Sequence, residues 1–152
     1  MEGQVACACS YLLLQHILKE LFDIVDSSEF SYNEHGKPSF INLPDIFFSM
    51  SHCKGAVACA VAREPVGIDI ENLRHPKPDV LDYVCNGEEM AMVLDSIDPA
   101  GKFTELWTRK EAYVKLTGEG ITHRVRDLLT DCHATIKTFR VDGRVVSVAH
   151  YK

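Results

Sequence analysis

"PVGIDIENL", residues 65–73, alternates two kinds of side chain: Val66, Ile68 and Ile70 seek a core, while Asp69 and Glu71 fall between them. In an extended chain, positions i and i+2 leave the same face. The pattern therefore predicts a buried strand that presents two carboxylates side by side. Neighbouring like charges oppose each other's ionisation and weaken the strand. A cation must answer them, and the remaining sequence has to supply it or bind it.

The 152 residues suffice for one compact domain, or for two small lobes sharing a core. With 46% apolar and 25% charged residues the composition is that of an ordinary globular protein. Gln15, His16 and Lys19 interrupt the longest apolar run, so no stretch approaches the roughly 20 residues of a membrane span. The first ten residues carry an acid and no base, which argues against a signal peptide. The expectation is a cytoplasmic protein without a membrane partner. Six cysteines lack any C-x-x-C or zinc spacing and read as free thiols. A net charge of −6 opposes nucleic-acid binding. Residues 102–126 nevertheless hold six basic against three acidic side chains. That is either a landing site for an anion or a solvated helix face.

Residues 11–26 place Leu14, Ile17, Leu18, Leu21 and Val25 on one broad side, an amphipathic helix that Ser10 would cap. "EHGKPSF" reads as a turn or loop. "IFFSM", "GAVACAVAR" and "PVGIDI" read as strands separated by "SHCK" and "EP" turns. Ala56, Ala58, Ala60 and Ala62 share one face of the middle strand, which predicts close packing there. Residues 75–100 hold one or two short helices, and a strong helix runs from about Gly101 to Thr117, stopped by Gly118. "ATIKTFRVDGRVVSVAHY" is a hairpin turning at Asp142-Gly143. The class is α+β, with a mainly antiparallel sheet covered by helices.

On that strong helix Phe103, Leu106, Trp107, Tyr113 and Val114 form an apolar stripe with Lys110 in its middle. Burying an unpaired ammonium costs several kcal/mol, so Lys110 requires an anion, unless its stem merely covers apolar surface while the head reaches water. Glu111 borders the stripe and Lys115 follows one turn later. A divalent cation is an economical way to keep Asp69 and Glu71 ionised, and magnesium prefers such hard oxygen ligands. Glu111 would complete a three-carboxylate site beside Lys115, an arrangement suited to a phosphate ester or anhydride.

"GKPSF" (36–40), "FSMSHC" (48–53), "VGIDIE" (66–71) and "LWTRKEAYVKLTGEG" (106–120) occur in an order and spacing that resembles 4′-phosphopantetheinyl transferases of the larger, surfactin-synthetase-activating type. The resemblance spans roughly residues 36–121. It implies a fold of two small pseudo-symmetric lobes, each an antiparallel sheet packed on a long helix, divided here at about 1–64 and 65–152. It also implies an activity: transfer of phosphopantetheine from coenzyme A to a serine of an apo acyl or peptidyl carrier protein. Magnesium would be the cofactor and adenosine 3′,5′-bisphosphate the leaving product. Asp69, Glu71 and Glu111 match the metal-site acids. Glu111 also matches the general base, and Lys115 the lysine at the bridging phosphates. Lys37, Ser51, His52 and Lys54 match the coenzyme A contacts. Lys110 is expected in a structural ion pair, and Glu88 resembles the acid of a short "F-S-x-x-E" segment.

Ser49 and Cys53 depart from the family's "F-N-x-S-H-[ST]" pattern, and the chain is shorter than family members of this type. Arg109, Arg124 and Arg126 are candidate docking residues for an acidic carrier. Two other readings stand beside the transferase. One is a relative that binds coenzyme A or a carrier without transfer. The other is a metal-dependent nuclease or phosphatase, which the acidic net charge and the one-turn spacing of Glu111 and Lys115 disfavour.

Overall fold

A computed structural model describes residues 2–25, 29–120 and 125–152. It opens with helix α1 (Glu2–Phe22), followed by the short strands β1 (Phe30–Tyr32) and β2 (Pro38–Phe40). Strands β3 (Phe47–Cys53), β4 (Ala56–Ala62) and β5 (Val66–Asn72) come next. Helices α2 (Pro78–Val84), α3 (Gly87–Leu94) and α4 (Pro99–Thr117) precede the closing hairpin of β6 (Ala134–Val141) and β7 (Arg144–Tyr151). The class is α+β with antiparallel sheets, as expected. The strands form three small sheets, β1-β2, β3-β4 and β5-β7-β6.

The first helix begins well before the expected position 11. Its opening turns, "QVACAC", carry small apolar residues without a 3.6-residue period, so a wheel does not detect them. Ser10 therefore lies inside the helix, where its hydroxyl donates to the Ala6 carbonyl at 3.0 Å instead of capping. At this length, Gly3–Phe22 is long and apolar enough by composition to cross a membrane, contrary to the expectation from the interrupted run. Leu14 and Leu18 of this helix are buried against Phe40, Ile46 and Phe48. The Phe30, Phe40 and Phe48 rings pack there, tilted or edge-on, at centroid distances of 4.4–5.7 Å. Helix α1 also lies across β4, which accounts for the alanine face of that strand.

"EHGKPSF" is not simply a loop: Pro38–Phe40 pairs with Phe30–Tyr32 in a three-residue ladder. "SHC" is not a turn either, because β3 runs through Cys53 and Lys54-Gly55 makes the reversal to β4. Helix α4 starts at Pro99 behind an Asp98 N-cap, whose side chain accepts from the Gly101 N–H at 2.9 Å. It ends at Gly118 with φ 75°, as the sequence predicts. Asp142 and Gly143 both take positive φ, the type I′ hairpin geometry expected of Asp-Gly.

Two helix-on-sheet units result, α1 on β3-β4 and α4 on β5-β7-β6. They meet where β3 and β5 run side by side. No backbone ladder joins these strands; serine hydroxyls do. Ser49 Oγ accepts from the Ile68 N–H at 3.1 Å and Ser51 Oγ from the Ile70 N–H at 3.3 Å. Further on, Asn72 Nδ2 donates to the Lys54 carbonyl at 3.2 Å. Partners on both strands advance together, so the strands are parallel.

Candidate functional site

Gly67 sets the approach of α4 to β5. A Cβ at that position would lie only 2.5 Å from the Leu116 backbone nitrogen and closer still to the Ala112 carbonyl oxygen. Hydrogen in place of a side chain lets helix and strand touch at the backbone. Positions 67, 69 and 71 share the face that this contact defines. Asp69 and Glu71 consequently stand beneath the turns of α4 that carry Trp107, Glu111 and Lys115.

Asp69 is buried, 4% exposed. Its Oδ1 accepts from Lys115 Nζ and from Ser51 Oγ, each at 2.7 Å. Its Oδ2 is buried without a hydrogen-bond partner. Glu71 Oε1 accepts from Trp107 Nε1 at 3.3 Å. Glu111 is pushed up to about 6, first by burial and then by the charge of Asp69. Lys115 pulls it back, Glu71 adds to the rise and Arg74 opposes it. The three acids expected to meet therefore form one electrostatic cluster, with Lys115 as a built-in counter-cation.

The donor set fits a hard divalent cation. It offers only carboxylate oxygens, one of them buried and unpartnered, and burial together with the neighbouring acids raises the proton affinity of Glu111. The acids are nevertheless engaged with protein donors. Among the described residues no three His, Cys, Asp or Glu side chains form a ready-made metal shell. Lys115 and Ser51 occupy Asp69 Oδ1, and the indole of Trp107 occupies Glu71 Oε1.

The residues matched to coenzyme A contacts divide between two cavities. Lys37 and Lys115 line one of about 330 Å³, together with Ser49, Met50 and Val114. His52 and Lys54 line a larger groove of about 980 Å³ between the β3-β4 hairpin and the start of α1. The smaller cavity adjoins the acids, because Lys115 itself bonds Asp69. Ser51 lies between the two, and its single proton is committed to Asp69. Lys37 Nζ donates to the Leu116 carbonyl at 2.8 Å, and burial draws its pKa below the usual lysine value. Asn33 Nδ2 reaches the Gly118 carbonyl at 2.9 Å. The β1-β2 loop thus caps the end of α4, satisfying carbonyls that the helix leaves open.

Lys110 has its anion. Only 1% exposed, it donates to Glu89 Oε2 at 2.6 Å and to the carbonyls of Val84 and Arg126 at 2.7 and 2.8 Å. Its partner is Glu89 and not Glu88, which is exposed. Glu89 also closes a capping box with Asn86, whose side chain accepts from the Glu89 N–H at 3.0 Å. The spacing N-x-x-E was the signal that identifies this acid. Arg126 pairs with Asp82 at 2.8 Å, and Arg109 is half-buried on α4. Arg124 lies outside the described residues.

A model of the 4′-phosphopantetheinyl transferase superfamily matches residues 65–147, the span from the Gly67 strand to the closing hairpin. The chain belongs to this family. Among curated proteins it is 32% identical over 117 residues to the 4′-phosphopantetheinyl transferase psf-1 of Bacillus pumilus, covering 74% of this chain and 49% of that protein. It is 29% identical over 149 residues to 4′-phosphopantetheinyl transferase Sfp of Bacillus subtilis (strain 168), covering 86% and 66%. With 4′-phosphopantetheinyl transferase gsp of Aneurinibacillus migulanus the identity is 32% over 127 residues, covering 82% and 53%. The chain spans between about half and two thirds of the length of these relatives.

Proposed function

We propose that this chain transfers the 4′-phosphopantetheine of coenzyme A to a serine hydroxyl of an apo carrier protein, with magnesium held by Asp69, Glu71 and Glu111. The observation that carries the reading is the cluster of Glu111, Asp69, Glu71 and Lys115 at the contact of α4 with β5, in a chain of this family. Magnesium bound there would neutralise charge on the pyrophosphate. Glu111, beside Asp69 and Lys115 in this cluster, is the group placed to take a proton. It accepts the serine proton as the serine oxygen forms a bond to the phosphorus that bears pantetheine. The bond from that phosphorus to the bridging oxygen breaks, and adenosine 3′,5′-bisphosphate departs. Lys115, freed from Asp69, stabilises the charge that develops on the leaving phosphate.

In this reading Lys37, Ser51, His52 and Lys54 border the coenzyme A site. Lys37 and Lys115 flank the cavity beside the acids. Ser51 acts chiefly through Asp69. Residues 1–64 and 65–152 serve as two lobes of one domain that share the β3-β5 seam, and the site of action is the cytoplasm. The test is mass spectrometry of apo carrier proteins incubated with the purified chain, coenzyme A and magnesium. A carrier heavier by one phosphopantetheine supports the proposal. An unchanged mass across fatty-acid, polyketide and peptide-synthetase carriers overturns it, and coenzyme A binding by calorimetry would then assign the chain a binding role.

A further inference from the structure

Trp107 stands between opposite charges. Its indole N–H donates to Glu71 at 3.3 Å, while the guanidinium carbon of Arg74 lies 5.2 Å from its ring centroid. Arg74 is held there from two sides. Its backbone N–H donates to Thr104 Oγ1 at 3.2 Å, and its guanidinium also reaches the Phe103 ring at 5.8 Å. Thr104 is fully buried and donates in turn to the Ala100 carbonyl at 2.7 Å, so the anchor belongs to the body of α4. Among the described residues no carboxylate forms an ion pair with Arg74. Its charge acts on the ring and also, at longer range, on Glu111.

A cation over an aromatic face is attracted by the ring quadrupole. The same field withdraws electron density and makes the indole N–H a stronger donor, as linked hydrogen bonds polarise one another. Arg74, Trp107 and Glu71 then behave as an ion pair conducted through a ring. We propose that Arg74 is a positioning residue: stacked on Trp107, it fixes the indole that holds Glu71 in place to face a divalent cation. The inference rests on the magnesium reading above for its consequence, and on the ring contacts for its geometry. Groups that orient a metal-binding carboxylate commonly govern ion affinity without touching the ion.

Trp107 is the chain's single tryptophan, so ¹⁵N-labelled full-length protein gives one indole N–H resonance. Arg74→Gln is expected to move that resonance upfield, toward its position in Glu71→Gln. Arg74→Lys should retain most of the wild-type position. In a Glu71→Gln background, Arg74→Gln should add little. Magnesium titrated alone and followed by Trp107 fluorescence should bind about two- to fivefold more weakly to Arg74→Gln, the range for a partly exposed cation–π contact. A resonance that stays put in Arg74→Gln, or that moves equally with and without the Glu71 carboxylate, overturns the proposal. Failure of carrier modification leaves the resonance experiment unaffected, so it is distinguishable from failure of this inference.

Discussion

Glu111 should make the protein less stable than it needs to be. The group rises from the ordinary 4.5 to about 6, so the folded chain holds the proton more tightly than the unfolded chain. Its contribution to stability is complete below about 4.5 and is lost as pH climbs through 6. At 1.36 kcal/mol per tenfold change, the loss at pH 7.5 is roughly 2 kcal/mol at most. Glu111 is only half-buried, and solvent screening reduces this toward about 1 kcal/mol. Glu111→Gln removes the charge at nearly constant shape. Thermal unfolding in chelator at pH 7.5 should therefore rise by roughly 2–8 °C for a chain of this size. At pH 4, where the wild-type carboxyl is protonated, the two melting temperatures should nearly coincide. The same variant should fail to modify any carrier. A variant that melts lower than wild type at pH 7.5, or by the same margin at both pH values, would refute the electrostatic account of the site.

Four further outcomes follow from particular contacts. Lys110→Met strands Glu89 and two carbonyls in the core and should cost about 3–5 kcal/mol by denaturant unfolding. Adding Glu89→Leu should recover part of that loss. Ser51→Ala removes the donor to Asp69 and the acceptor for Ile70, and should lower stability by about 1–3 kcal/mol in the same assay. Gly67→Ala drives a methyl into the backbone of α4 and should cost more than about 4 kcal/mol, seen as loss of soluble folded protein by circular dichroism. Lys37→Met uncaps α4 at Leu116 and should lower stability by about 1 kcal/mol.

Much of the site follows from local rules. Period-two spacing puts Asp69 and Glu71 on one face without reference to any other element. Gly118 and Asp142-Gly143 stop a helix and turn a hairpin because few residues adopt positive φ readily. An ammonium amid an apolar stripe implies a buried partner for Lys110, but the partner's identity depends on how α3 docks. Asn86 where serine is customary hides the capping box that singles out Glu89. The β1-β2 hairpin escapes notice because three-residue strands carry almost no periodicity. Lys37 looks like a surface turn residue until the end of α4 arrives above it. The partner of Lys110 and the role of Lys37 share one cause: each is an agreement between segments far apart in sequence.

The seam between β3 and β5 concentrates that agreement. Two parallel strands held by serine hydroxyls lack the redundancy of a backbone ladder, so each hydroxyl matters more. Ser51 belongs at once to the seam and to Asp69, and Asp69 belongs to the seam and to Lys115. Ser51 thus links the seam directly to the acid that α4 covers. A ligand that draws the Lys115 ammonium away from Asp69 would expose an oxygen whose neighbour already lacks a partner.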